Sequence, residues 1–504
     1  MRLNHFMIVT VLVISAAHSL SAQSFPPEML WNRLYNVYTE SRWVGYSFDL
    51  MPLSDGSFVM TASVPPHPRI RTGIWLCRVE PDGAINWERN IVPEDSNGFR
   101  GGGEGRKIVV SNNGDIALIG HASNGQTTDI VFILADTTGN VLVEKLYGEN
   151  EPLTLATDIC QTEDGFALLA GEWVGQLNLE AVYTVLIRID ENGEEVWRKY
   201  YGQQYDLYIP SGFIPLVDGG FLICGQHIYN PPDYLQSEAF IIRSDSVGEV
   251  VWQRTYGGDD IIISRLGVLQ TGEDEFAVIG GDPDVNIDDE WWDWRITWID
   301  SQGEILYSGE RFSVPREADV KRFIRTADGG YAFIGASFWM LRTDEWGSEL
   351  WQHTYGDTVG WGRGYAICSL PDSGYAIGGM WHYDEGDSGI FGGGGTLLMR
   401  LGPEQYPPDV VREPDAAARS FILLPAYPNP FNSAVRIEFS LPAEGLVTMT
   451  IADITGREVL SVKRAMAAGK HTAAWNAEGH PAGLYLMNVS ANGHSRTLKA
   501  LLVK

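Results

Sequence analysis

The sequence predicts an all-β chain: a seven-bladed β-propeller closed by its own N-terminal strand, followed by a small Ig-like β-sandwich. Three observations carry that prediction. A module of about 55 residues recurs along most of the chain, its two end units are complementary fragments, and the composition shifts after Gly402. Of the 504 residues 44% are hydrophobic and 20% charged, the balance of a globular chain. The 56 glycines, 17 tryptophans and 21 tyrosines suit many short strands joined by tight turns. A net charge of −29 disfavours binding to phosphate backbones and anionic lipid, so nucleic acid is not an expected partner.

The chain opens with Arg2, an apolar run from Phe6 to Ala17 and small residues up to Ala22. That pattern is a secretory signal peptide, residues 1–22, too short to span a bilayer with margin. No later run of 18 residues is apolar, so the mature chain is expected to have no transmembrane segment. Cys77, Cys160, Cys224 and Cys368 each stand alone in an apolar run and fall in four different repeats. They read as buried thiols.

Residues 28–403 hold the repeat: Asp-Gly-aromatic, a short apolar run, Gly, a variable gap, a second apolar run, then D-x-x-G-x-x-x-W. The anchors Phe58, Ile116, Phe166, Phe221, Phe276, Tyr331 and Tyr375 are spaced by 58, 50, 55, 55, 55 and 44 residues. The turn glycines Gly83, Gly139, Gly193, Gly248, Gly303 and Gly347 precede Trp87, Val143, Trp197, Trp252, Tyr307 and Trp351 by four. Each unit reads as four antiparallel strands that cannot bury both faces alone and so stack radially. The seventh unit lacks its outer strand, while an orphan strand bearing Trp31 precedes the first. Pairing the two closes the ring and removes an exposed edge.

The spacing D-x-x-G-x-x-x-W resembles the tryptophan-docking repeat of pyrroloquinoline quinone propellers, closest at Ala135 to Val143. Those enzymes are usually eight-bladed and many carry a vicinal cysteine pair. Seven repeats and separated cysteines therefore point to the scaffold without the cofactor. The repeated Trp is expected to pack between blades. Arg78, Arg188, Arg243, Arg342 and Arg400 share one phase and are expected to pair with neighbouring turns.

Residues 404–420, rich in Pro, Ala and charge, read as a linker. From 421 to 504, alternating segments at 435–441, 446–454, 459–463, 472–475, 484–490 and 497–503 predict a sandwich. Here the run Tyr427, Pro428, Asn429, Pro430, Phe431, Asn432, with Gly456-Arg457, Trp475-Asn476 and Gly483-Leu484-Tyr485, resembles the C-terminal sorting domain of type IX secretion substrates. Ala452 departs from that pattern, which usually has an aromatic before Asp453. The resemblance implies export to the periplasm, outer-membrane translocation by the type IX machinery, and release or attachment at the cell surface. The tail is formally +3, so the acidity belongs to the propeller half.

Propeller geometry places the short Asp-Gly and D-x-x-G turns on one face and the long second-to-third-strand loops on the other. Those loops are 64–72, 172–180, 227–238, 282–293 and 382–395; the sixth unit has only a residue or two, around Ser337. One face thus carries the variation, where rigid scaffolds hold binding residues. Asp282, Asp284, Asn286, Asp288 and Asp293 offer oxygens at positions 1, 3, 5, 7 and 12 of one loop, a spacing that suits Ca²⁺. Ile287 stands where the turn-making Gly of a calcium loop belongs, so a solvated acidic loop is the plainer reading. Trp173, Tyr229, Tyr234, Trp291, Trp292, Trp381 and Tyr383 are the candidate ligand-binding aromatics, able to stack on sugar rings or to anchor their loops. The glycine-rich stretch after His382 reads as a flexible loop.

No zincin, nucleophile-elbow or phosphate-loop motif occurs, and the ten histidines are scattered without metal spacing; His353 and His382 are the two to inspect. The leading expectation is an exported, secreted or surface-attached binding protein whose loop face recognises a glycan or a protein. The alternative is a polysaccharide hydrolase or lyase using loop-face carboxylates.

Overall fold

The computed structural model describes residues 25–503, apart from 39–47, 64–72, 94–101, 124–126, 149–152, 175–180, 230–235, 258–263, 273, 282–290, 310–311, 316–317, 345–346, 357–359, 385–390, 405–421 and short stretches of the tail (424–425, 427–428, 430, 433, 442–444, 467–468, 478, 492–493). The proposed signal peptide lies outside the described residues. Those described contain 36 strands, and none of their helices is long and apolar enough to cross a membrane.

Seven consecutive groups of four strands form antiparallel sheets, each a blade of a β-propeller. The innermost strands are Phe48–Pro52, Gly102–Val110, Leu153–Thr162, Leu207–Pro215, Ser264–Gln270, Arg322–Arg325 and Gly360–Ser369. The seventh blade takes its fourth strand from the N-terminus. Met29–Tyr38 pairs antiparallel with Phe391–Leu401, and Trp31 lies opposite Arg400.

Seven separate apolar cores lie between neighbouring blades, one at each junction. The third blade shows why its second strand is a continuous apolar run. Phe166, Leu168 and Ala170 face the second blade, whereas Ala167 and Leu169 face the fourth. Both faces of the strand are covered, so alternation with polar residues disappears. At the closing junction Tyr35 of the N-terminal strand packs with Leu398 against Phe58 and Trp75 of blade one.

The repeated polar residues hold the turns. In the D-x-x-G turns of blades two to five the Asp carboxylate accepts backbone N–H groups two and four residues on, as Asp190 does from Asn192 at 2.9 Å and Glu194 at 2.8 Å. The turn Gly adopts positive φ, +75° at Gly303, and the preceding blade's Trp252 lies where a Cβ would stand, 2.8 Å away. Tyrosines ending the outer strands donate to the next blade's turn: Tyr147 to the Gly193 carbonyl at 2.6 Å and Tyr256 to that of Gly303 at 2.6 Å. Tyr35 does the same for Gly83 at 2.7 Å, so the ring-closing strand is bolted like its counterparts. Arg78, Arg188, Arg243, Arg342 and Arg400 pair with Asp55, Asp164, Asp218, Asp328 and Asp372, each in the Asp-Gly turn of its own blade. All four cysteines are free thiols, three buried and Cys160 partly so.

Two expectations about loops need correction. Gly393, Gly394 and Gly395 are not a flexible loop: they pair with Tyr383, His382 and Trp381 inside the third strand of blade seven. A Cβ on Gly395 would stand 2.6 Å from the Tyr35 carbonyl, so the closing strand requires a bare backbone there. The candidate aromatics also fall on strand ends rather than in loops, because the hairpins run further than the apolar cores alone suggest. Trp173 ends Gly165–Val174, Tyr229 ends Phe221–Tyr229, Trp291 and Trp292 begin Trp291–Asp300, and Trp381 and Tyr383 lie in Tyr375–Asp384. In blade six the expected short connection holds Ser337 and Phe338, both at positive φ.

The tail forms two sheets, Ile422–Leu423, Ala434–Leu441 and Gly469–Asn476 against Gly445–Asp453, Glu458–Met466, Gly483–Ala491 and His494–Leu502, with their own apolar core. The motif residues tie its two ends together. Asn429 donates to the Lys499 carbonyl at 2.7 Å and accepts from the Leu501 N–H at 2.9 Å, while buried Phe431 bridges Leu502. Tyr485 meets Trp475 edge-on with ring centroids 4.8 Å apart. Gly456 gives its turn positive φ, and Arg457 pairs with Asp453 at 3.3 Å. Asn432 is exposed and Gly483 begins a strand; Tyr427, Pro428 and Pro430 lie outside the described residues.

Candidate ligand cavity at the channel mouth

The innermost strands surround a channel, and its loop-face half is an open cavity of about 750 Å³. Its wall comes from six of the seven blades, including Arg106, Lys107, Asp158, Trp173, Arg322 and Tyr365. A strand normally sends adjacent side chains to opposite faces. Here the pairing register slips by one residue at Arg106, between Gly105 and Lys107, and slips again at Thr157, Ser211 and Tyr365 in other inner strands. Such bulges re-aim side chains. They let consecutive residues such as Arg106 and Lys107 both line the channel.

The register also fixes a ring of equivalent positions. Asp49, Lys107, Asp158, Gly212, Gly267, Arg322 and Ala366 each lie opposite the residue three beyond their blade's anchor. Charges alternate around half of it. Arg322 donates to Asp49 at 2.8 Å, and Lys107 Nζ sits 4.0 Å from Asp49 and 3.9 Å from Asp158. Asp49 is buried and accepts the Ile108 N–H at 2.9 Å; Asp158 accepts that of Ile159 at 3.0 Å. Gly212 and Gly267 put no side chain into the opposite side of the ring, and the Phe323 ring fills the place of a Gly267 Cβ, 2.1 Å away.

Burial acts on these groups in the usual directions. It lowers the pKa of Lys107, reinforced by neighbouring Arg322 and opposed by Asp49 and Asp158. It lowers that of Arg106, opposed by Glu104. It raises that of Asp158, although Lys107 and Arg322 pull the other way. Each of the three groups is therefore less readily charged than it would be in water.

Of the candidate aromatics whose side chains are described, Trp173 is the one among the residues that line the cavity. Tyr229 stands apart, its hydroxyl 3.4 Å from Glu238 and its ring 5.2 Å from His227. Trp381 packs against the core between blades six and seven. The side chains of Trp291, Trp292 and Tyr383, and all of Tyr234, lie outside the described residues. So do Asp282, Asp284, Asn286 and Asp288 of the calcium reading; Asp293 accepts a hydrogen bond from Ser313 Oγ at 3.0 Å. Among the described residues no group of three or more His, Cys, Asp or Glu is placed to hold a metal. His353 packs edge-on against Tyr355, with ring centroids 4.7 Å apart.

Sequence reading missed Asp49, Arg106, Lys107, Asp158, Arg322 and Tyr365. The signal was present: these residues interrupt inner strands that would otherwise read as apolar, as in G-R-K-I and A-T-D-I.

Residues 425–504 match the secretion system C-terminal sorting domain. That domain marks proteins exported by type IX secretion to the cell surface or the extracellular space. No curated protein sequence matches the chain. Among solved structures, an α-L-arabinanase of Penicillium chrysogenum complexed with arabinobiose is 13% identical, with a TM-score of 0.42 over 75% of this chain and 99% of its own. The polysaccharide lyase Uly1 is 13% identical, with a TM-score of 0.44 over 71% and 90%. The β-propeller domain of the Trilobed protease from Pyrococcus furiosus is 11% identical, with a TM-score of 0.41 over 73% and 96%.

Proposed function

We propose that this exported propeller is a binding protein that receives an extracellular glycan at the mouth of its channel. The cavity supports the reading: it is open, about 750 Å³, and walled by aromatic and charged side chains held on rigid strands. Its position matches the face that carries the long, variable connections. A glycan array probed with the secreted chain tests the proposal, with Trp173→Ala as the control variant. Binding lost in that variant supports the cavity; binding retained in it overturns the assignment.

A second reading, hydrolysis or elimination on a polysaccharide, draws on one observation. Asp49 and Asp158 both approach Lys107 Nζ, at 4.0 and 3.9 Å, so their nearest oxygens lie within about 8 Å, a spacing that paired carboxylates use in glycoside hydrolysis. The raised pKa of Asp158 suits a proton donor. Against it, Asp49 is buried and engaged by Arg322 and the Ile108 N–H. Release of reducing ends or of unsaturated products from polysaccharides, abolished by Asp158→Asn, would establish catalysis.

A further inference from the structure

We infer that the cavity holds the carboxylate of an acidic sugar, a uronate unit of the extracellular glycan. This rests on the proposal that the cavity is the ligand site and adds the chemistry of the ligand.

The wall offers hydrogen-bond donors without matching acceptors. Lys107 Nζ has carboxylate oxygens at 4.0 and 3.9 Å, both beyond hydrogen-bond distance. Arg106 is engaged only through Nε, 3.4 Å from the Ala156 carbonyl, and makes no ion pair among the described residues; the Glu104 carboxylate that acts on it contacts His121 at 3.3 Å. Trp294, 1% exposed, is among the residues lining the same cavity, and its indole N–H meets no acceptor among the described residues. Four cationic side chains, Arg106, Lys107, Lys321 and Arg322, line the wall against the single carboxylate of Asp158. Asp49 compensates Arg322, and Asp319 pairs with Lys321 at 2.6 Å, which leaves Arg106 as the wall cation without an ion pair among the described residues, beside Lys107 held between Asp49 and Asp158.

This cationic recess lies inside a chain of net charge −29. The overall field repels anions, so selection for one falls to the local donors of the wall. A partly desolvated cation without an ion pair, as Arg106 is among the described residues, is costly unless an anion completes it. The planar fork of Arg106 beside the point charge of Lys107 matches a carboxylate, which an arginine can engage through two parallel bonds. The dimensions favour a sugar over a protein surface. A recess of about 750 Å³ accepts a sugar residue or two, while protein partners need a broad face. Trp173 and Tyr365 on the same wall provide ring faces for the apolar side of a pyranose.

The test is calorimetric titration of the secreted chain with trigalacturonate, its fully methyl-esterified form and a sulfated oligosaccharide of equal length. The acid should bind, with the ester and the sulfated sugar each at least about tenfold weaker and affinity falling as salt rises. Arg106→Gln and Lys107→Met should each weaken the acid by about tenfold while leaving the ester unchanged. Lys107 lies between two carboxylates, so melting curves verify that its variant folds. Arg106→Gln, which removes no ion pair, decides the question alone if Lys107→Met does not fold. Equal binding of acid and ester, or unweakened acid binding in Arg106→Gln, overturns the inference, as does tighter binding of the sulfated sugar. If acid and ester bind equally but Trp173→Ala loses both, the cavity stands and only the carboxylate falls. If none of the three sugars binds, both the cavity reading and its acidic ligand fall.

Discussion

The phenol of Tyr256 donates to the Gly303 carbonyl of the next blade, and removing that one oxygen isolates the contribution of a single inter-blade bolt. Tyr256→Phe leaves a buried carbonyl without its partner and should lower stability by about 1 kcal/mol in denaturant titration. Burial also pushes this phenol's pKa well above the ordinary tyrosine range, so it stays protonated as a donor throughout physiological pH. The glycine beneath it is less forgiving. Gly303→Ala places a Cβ 2.8 Å from the Trp252 ring on a backbone at φ +75°, and should cost about 2 kcal/mol or more. A Gly303→Ala protein as stable as the parent would show that Trp252 does not hold this contact in solution.

Among the arginine latches, identical chemistry sits in different surroundings and so carries different weight. Arg342 is 1% exposed and also reaches Glu404 Oε1 at 2.8 Å, itself accepting from the Tyr375 hydroxyl at 2.6 Å. Arg342→Met strands a buried carboxylate and should destabilise by about 3–5 kcal/mol. Arg400 pairs with Asp372, which is half exposed, so Arg400→Met should cost about 1 kcal/mol or less. Equal losses in the two variants would refute the distinction.

The turn aspartates of the second and third blades share an acid response. The Thr138 hydroxyl and the Asn140 N–H hold the Asp136 carboxyl down at about 2, and the Glu194 N–H lowers that of Asp190. Their folded pKa values lie below the unfolded ones, so the unfolded chain binds more protons as pH falls. The stabilisation is complete above the ordinary carboxylate range, near pH 4, and is lost as pH drops toward 2. Asp158, raised by burial, works in the opposite direction. Calorimetric melting temperatures should therefore be flat above pH 5 and fall steeply below pH 4; a melting temperature unchanged down to pH 2 would count against the turns.

At the scale of the whole molecule, the N-terminal strand is the closure on which the ring depends. Met29–Tyr38 supplies the last hydrogen-bonded edge, the Tyr35 bolt, and side chains of the core between blades seven and one. Closing so long a loop costs entropy that rises only logarithmically with length, and burial at one full blade junction offsets it. Deleting residues 24–38 should lower the propeller's melting transition by many degrees while the tail, with its separate core, keeps its own transition. A single unshifted melt in the truncated chain would show that the ring holds without its clasp.

The recurring module, its complementary ends and the tail motif were legible because each is set by local rules: a Gly where φ must be positive, an Asp where a turn needs an acceptor, a Trp four residues on. Repetition amplified those signals until the number of units and their closure could be read from spacing alone. The channel was not legible in that way. Arg106 and Lys107 share a wall only because a bulge breaks strand alternation, and Asp49 meets Arg322 across 273 positions because ring closure brings blades one and six to a common axis. The glycine run of the seventh blade likewise has a loop's composition and becomes a strand because Tyr375–Asp384 pairs with it on one side and Met29–Tyr38 lies against it on the other. The sequence by itself determined the repeating scaffold and the export tail, since both rest on contacts within a few residues or one repeat. Tertiary structure alone decided the cationic cavity, because which charges face one another across a ring depends on register and closure.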